Sequence, residues 1–266
     1  MIQGQSIELK TSLEVARMRR PGRIVAQVLR SLRECIRPGI STAAIASEAE
    51  RLLETLEAAP ALKGYRGFPR AVCTSVNHVA VHGVPNEYEL SKNDVITVDL
   101  TVEKGGWHGD SAWTYMVGPG TPEARRLIRA AWRSTIAGID AARAGARFGD
   151  VGRAIEEVAA QHGCTVIDRF VGHGIGKRIH EDPMVLHTGE AGTGAPIVPG
   201  MVFTVEPILA LGDADVFTLA DGWSMVTRDH SLCAQFEQTV AVFSDRTEVL
   251  TWEGEFSVVD RDFPPF

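Results

Sequence analysis

Cysteine is scarce in these 266 residues: Cys35, Cys73, Cys164 and Cys233 lie dozens of positions apart, and no two make the close pair of a structural zinc site or a redox motif. They read as reduced, mostly buried side chains. Long apolar runs are missing as well. None reaches the roughly 18 residues that a membrane-spanning helix needs, and the N-terminus lacks a signal peptide's charged, apolar and small-residue succession. The expectation is a cytoplasmic protein that does not enter a membrane. Positive charge is in deficit: 27 Lys and Arg against 34 Asp and Glu give a formal net charge of -7, which offers no general attraction to nucleic acid, and no nucleic-acid motif is present. Arg17, Arg19, Arg20 and Arg23 are a local exception; their helical spacing reads first as a solvated face and second as a basic contact patch. A hydrophobic content of 44% is ample for a core in one large or two small domains.

The most informative stretch runs from Asp99 to Asp110. Val95–Val98 before it and Ser111–Val117 after it have strand character, and Gly105 and Gly106 between them supply turn conformations. A hairpin centred between Lys104 and Gly105 sets Asp99 directly opposite Asp110, on one face. Facing carboxylates repel, so the pair needs a cation, a shared proton or solvent. Two solvated acids beside a turn are the plainer alternative, because a slip of one residue sends one of them to the other face.

Helical signals begin at Leu13, with Ser12 as cap and Pro21 expected to kink or divide the segment. A second helix capped by Ser41 or Thr42 ends before Pro60, and Ala71–Val76 reads as a strand. The pattern then recurs. Pro122 opens a helix to about Ala141, Gly145 separates it from another over about Asp150–Gln161, and strands follow at Thr165–Ile167, Phe170–Val171, Val198–Ile208, Val216–Leu219 and Cys233–Phe243. Gly39 and Gly145, Ile45 and Val151, and Glu50 and Glu156 each lie 106 positions apart. Asp99 and Glu206 are 107 apart, so the second half brings its own strand-borne acids, Glu206 and Glu237. Two helix–helix–sheet halves point to a pseudo-symmetric α+β fold with a site between them. The divisions expected are an extension over 1–12, a single domain over 13–250 with halves of about 13–121 and 122–250, and a tail over 251–266 that ends in Phe263-Pro-Pro-Phe266.

Gly172-x-Gly174-x-Gly176 superficially suggests a dinucleotide loop, but Pro183 interrupts the segment where a helix would receive the phosphates. The glycines fit better as close backbone approach around His173. With Asp99, Asp110, Glu206 and Glu237, His173 completes an oxygen-rich set able to neutralise two divalent cations, suited to manganese, iron, cobalt or zinc.

From about Leu13 to Leu250 the chain resembles the type I methionine aminopeptidases, through Ser75-Val-Asn-His-Val-Ala-Val-His82-Gly, Asp99 to His-Gly-Asp110, Gly172-His173-Gly-Ile-Gly, His180-Glu, Met201-Val-Phe-Thr-Val-Glu206-Pro and Gln235-Phe-Glu237-Gln-Thr. The resemblance implies a "pita-bread" fold with internal two-fold symmetry and a curved antiparallel sheet flanked by helices. It implies two divalent metals on Asp99, Asp110, His173, Glu206 and Glu237, with Asp110 and Glu237 bridging, and an auxiliary sodium or potassium ion. It implies His82, His180 and Glu206 as catalytic, and Leu62, Tyr65, Phe68, Cys73, Ile179 and Trp223 around a methionine pocket. The partners implied are N-terminal methionine peptides and nascent chains, with a small second residue, a transient ribosome contact and a monomeric protein. Arg66, His78, Ile179 and Cys233 depart from the family's common pattern. Proline-specific relatives and catalytically silent members of the fold are the alternatives.

Overall fold

The computed structural model describes residues 7–254 and Phe256; the proline-containing terminus falls outside them. In the first half, α1 (Ser12–Leu32) and α2 (Thr42–Thr55) are followed by β1 (Ala59–Pro60), β2 (Cys73–Val76), β3 (Val79–Val81), β4 (Val95–Lys104) and β5 (Trp107–Met116). The second half repeats the plan with α3 (Pro122–Ala141) and α4 (Phe148–Gln161), then β6 (Thr165–Val166), β7 (Gly172–Gly174), β8 (Glu181–Val185), β9 (Val202–Val205) and β10 (Ile208–Ala210). It closes with β11 (Val216–Thr218), β12 (Met225–Thr227), β13 (Cys233–Gln235), β14 (Gln238–Val242) and β15 (Thr247–Val249). Both boundaries of α4 lie 106 positions beyond those of α2, the interval seen in the sequence.

All strand pairs are antiparallel. β2, β4, β5 and β1 form one sheet, and β15-β14-β9-β7-β8 form its largest counterpart; β13-β10-β6 and β11-β12-β3 are smaller. Helix α1 packs on β4 and β5, and α3 on β10 and β13, so each half covers its strands with its own helices. The main core fills that space. Trp132 of α3 lies edge-on to Phe236 at 5.2 Å between ring centres and also meets Trp252, which tilts against Trp113 of β5. Large aromatic surfaces there tie the helices to both halves of the sheet system.

Helix α1 is continuous through Pro21, so of the kink or division expected there the division does not occur. A mid-helix proline costs about 3 kcal/mol, and burial on both sides of it offsets that cost. Val15 and Met18 are buried before it, and Val25, Val28 and Leu29 after it. The cap is Thr11 rather than Ser12, in a reciprocal capping box with Glu14. Just upstream, buried Lys10 pairs with buried Glu181 at 2.6 Å, fixing the chain entry to β8.

The β4–β5 register also differs from the expectation. The turn is Gly105-Gly106, both at positive φ (66° and 78°), so Lys104 pairs with Trp107. Asp99 therefore faces Ala112, and Asp110 faces Thr101. Moving the centre by one residue shifts the register by two, which keeps both acids on one face as diagonal neighbours. Two long strand runs are broken. Val198–Ile208 divides at Glu206-Pro207, and Cys233–Phe243 divides at Phe236-Glu237. Phe170 and Val171 lie outside any strand, ahead of β7.

Candidate metal centre

The two strand breaks coincide. Val205 pairs with Gln238 on one side and Ile208 with Gln235 on the other, in an unchanged register that puts Glu206 opposite Glu237. A ladder that opens at two facing glutamates gives up hydrogen bonds where like charges meet, a local conflict of the kind found at functional sites. Proline at 207 has no N–H to donate there.

Glu237 is anchored by its backbone across to the first half. Its N–H donates to the Ala112 carbonyl at 2.8 Å, and its carbonyl accepts from Ser111 Oγ at 2.6 Å. Asp110 is tied in the same way: its N–H donates to Thr239 Oγ1 and its carbonyl accepts from that hydroxyl. Thr101 Oγ1 donates to Asp110 Oδ1 at 2.8 Å. Glu206 accepts from Thr204 Oγ1 at 2.6 Å, and its N–H donates to His187 Nε2 at 3.2 Å. Thr204 also receives the His173 N–H, which couples β7 to β9 beside the acids.

Asp110, His173 and Glu237 bring ligand atoms within 4.8 Å of one another, one candidate metal site. His173 Nε2 stands 3.8 Å from Asp110 Oδ2 and 3.5 Å from Glu206 Oε1. Burial pushes the Asp99, Asp110, Glu206 and Glu237 carboxyls up from their ordinary range, and mutual repulsion adds to the rise at Asp99, Glu206 and Glu237. Burial depresses His173 to about 4, so it is a neutral nitrogen donor at pH 7. Glu237 Oε1 is buried with no hydrogen-bond partner. Crowded acids, a neutral imidazole and an orphaned carboxylate oxygen together fit a divalent cation.

The cluster forms the floor of a cavity of about 400 Å³. Every residue that the sequence put forward for the site lines it: Asp99, Asp110, His173, Glu206 and Glu237 on the floor, His82 and His180 beside them, and Leu62, Tyr65, Phe68, Cys73, Ile179 and Trp223 in the walls. Phe68 and Trp223 meet edge to face at 5.2 Å. Tyr65 stacks on His180, with its hydroxyl hydrogen-bonded to His180 Nδ1 at 2.8 Å. Burial and the neighbouring His173 hold His180 at about 4. His82, at φ +58°, lies edge-on to Phe170, and burial lowers its pKa. Burial and nearby carboxylates raise the Cys73 thiol well above its usual range, so it is an apolar wall rather than a nucleophile. His78 and Cys233 stand elsewhere: His78 meets His230 at 5.1 Å, and the Cys233 N–H donates to the Asn77 carbonyl.

Sequence reasoning missed Thr101, His187, Gln235 and Phe170. Thr101 had a signal, because it lies two residues from Asp99 and so on the same strand face. Gln235, two residues before Glu237 in an expected strand, had the same signal; His187 and Phe170 reach the site only through the tertiary fold.

This arrangement is that of a metallopeptidase, and the model of Metallopeptidase family M24 matches residues 16–243. The methionine aminopeptidase of Rickettsia prowazekii is 37% identical over 262 residues, spanning 98% of this chain and all of that protein. Its crystal structure superposes with a TM-score of 0.91 over 93% of this chain and 100% of that one. Methionine aminopeptidase B of Synechocystis sp. is 42% identical over 251 residues, 91% of each chain. The chain belongs to the methionine aminopeptidases of family M24, with their pita-bread fold. No helix among the described residues is long and apolar enough to cross a membrane.

Proposed function

We propose that the protein removes N-terminal methionine from peptides and nascent chains by metal-dependent hydrolysis in the cytoplasm. The observation that carries this reading is the Asp110–His173–Glu237 group, two buried acids and a half-buried histidine, at the floor of an apolar-walled cavity. With Asp99 and Glu206 added, the five residues would hold a pair of divalent ions, manganese, iron, cobalt or zinc. When bound, such ions supply Lewis acidity to a water and to the substrate carbonyl.

The remaining work falls to this chain's side chains. Glu206, facing both the candidate metal centre and the cavity, passes the proton of the attacking water to the departing amine. With Nδ1 accepting a hydrogen bond from the Tyr65 hydroxyl, neutral His180 keeps its own proton on Nε2 to donate to the carbonyl oxygen as charge develops there. His82 orients the peptide at the scissile nitrogen. The free α-amine meets the acidic floor, which restricts cleavage to a chain end. Leu62, Tyr65, Phe68, Cys73, Ile179 and Trp223 enclose the methionine side chain, whose flexible thioether fits an irregular apolar slot.

The catalytic unit, acting as a monomer, is residues 13–250 together with Lys10, Thr251 and Trp252, which are buried against it rather than belonging to an extension or a tail. The Arg17–Arg23 face supplies a transient ribosome contact. An auxiliary sodium or potassium ion belongs near Cys233.

A peptide panel tests the assignment. The expected order of kcat/KM is Met-Ala-Ser above Leu-Ala-Ser and far above Glu-Ala-Ser, with Met-Trp-Ser poor and N-acetyl-Met-Ala-Ser inert. Shape alone distinguishes methionine from leucine by only about 1–3 kcal/mol, so leucine remains a weak substrate. Equal values for Met-Ala-Ser, Leu-Ala-Ser and Met-Trp-Ser contradict this selectivity; cleavage confined to Ala-Pro peptides points to the proline-specific alternative.

A further inference from the structure

Two arginines line the cavity without serving the hydrolysis described above. Arg66 belongs to the turn Tyr65–Gly67 and is held at φ +50°, with its guanidinium 5.4 Å from the centre of the Tyr65 ring. Arg169 precedes β7 and donates from Nη1 to the Val216 carbonyl at 3.2 Å. Both are exposed, and neither makes an ion pair with a carboxylate among the described residues.

The other charges around the cavity are already committed. Asp99, Asp110, Glu206 and Glu237 face the candidate metal centre, and Glu181 is paired with buried Lys10 at 2.6 Å. What is left to meet a substrate beyond that centre is positive. The two guanidinium groups come from separate segments about 100 positions apart, so the charge is a property of the assembled rim rather than of one loop.

Resting on the proposed aminopeptidase activity, we propose that Arg66 and Arg169 form a carboxylate-recognising rim that favours substrates with a negative charge beyond their second residue. The first residue occupies the apolar pocket and the second clears the acidic floor, so the third and later residues are the ones that pass the rim. A planar guanidinium suits a carboxylate, whether it is an Asp or Glu side chain or the free C-terminus of a short peptide. Exposure to solvent keeps the effect moderate and makes it sensitive to salt.

The test compares kcat/KM for Met-Ala-Glu-Ser-amide, Met-Ala-Gln-Ser-amide and Met-Ala-Lys-Ser-amide, together with the free acid of the Gln peptide. The expected result at low salt is a preference of about 3- to 10-fold for at least one carboxylate over its neutral counterpart, with the Lys peptide worst. Glu over Gln assigns the side chain, and free acid over amide assigns the C-terminus. The preference should shrink in 0.5 M salt, collapse toward unity in Arg66→Gln/Arg169→Gln, and persist in Arg66→Lys/Arg169→Lys. Ratios taken within each variant are independent of any change in its overall rate. Affinities of the same peptides for the metal-free protein, measured by calorimetry, read the rim without hydrolysis and so separate this inference from the activity itself. Equal values for all four peptides, or a preference that survives in the Gln double variant, overturn the proposal.

Discussion

His180 illustrates how one side chain's role is set by its neighbours. Its ring lies 4.2 Å from that of His173, and Tyr65 holds its Nδ1. It is therefore close to the metal centre without belonging to the Asp110–His173–Glu237 group. His180→Ala should retain metal binding yet lose turnover by roughly 10²-fold or more, the usual consequence of removing a donor aimed at developing charge. Metal titration beside steady-state kinetics checks this; loss of metal from a folded variant would move His180 among the ligands. The sequence made these residues legible because their chemistry is unusual in apolar surroundings. It could not show His187 Nε2 accepting from the Glu206 N–H, or Gln235 donating to Glu206, since those contacts join distant segments.

Among the elements, the β4–β5 hairpin and α1 are fitted to each other so closely that glycine is required. A Cβ on Gly109 would come within 2.6 Å of the Gly22 nitrogen and 2.8 Å of the Pro21 carbonyl carbon. The residue before Asp110 is thus the point where the helix touches the strand. Gly109→Ala should force these backbones apart and destabilise the protein by about 2–4 kcal/mol, within the range of overpacked or strained sites. Urea unfolding measures this; an unchanged midpoint would mean that the hairpin and helix are not rigidly seated. At this scale the sequence conveyed the identity of the hairpin but not its register, because two adjacent glycines permit two turn centres. The breaks at Glu206-Pro207 and Phe236-Glu237 were hidden because both runs keep strand character on either side, and only the fold sets the two glutamates opposite each other. The division expected at Pro21 does not occur because tertiary burial outweighs a local propensity.

Across the whole molecule, two similar halves place their acids against one another at the seam. In the metal-free protein the four carboxyls have folded pKa values above their unfolded ones. Their contribution to stability is therefore full below the unfolded values and is lost as pH rises through the folded values. Folded His173, at about 4, is already neutral at pH 6, so a metal ion has no proton to displace from it at either pH. A divalent ion must displace protons at the lower pH and relieves repulsion at the higher one. The rise in Tm on adding metal should consequently be larger at pH 8 than at pH 6. Thermal unfolding with and without metal at both pH values tests this, and an equal or smaller rise at pH 8 would contradict it.

The repeat visible as a 106-residue interval between the helix pairs is matched among the acids by Asp99 and Glu206, 107 apart, so part of the site's two-fold plan could be read before the fold. What that symmetry builds is tested most directly by following free methionine released from Met-Ala-Ser. Metal-free protein is assayed before and after reconstitution with manganese, iron, cobalt or zinc, with Asp110→Asn in parallel. Release is expected only after metal is restored, from the unblocked peptide, with at least about 100-fold less activity in Asp110→Asn. Equal release by the metal-free protein, or near-wild-type kcat/KM in metal-loaded Asp110→Asn, would contradict this.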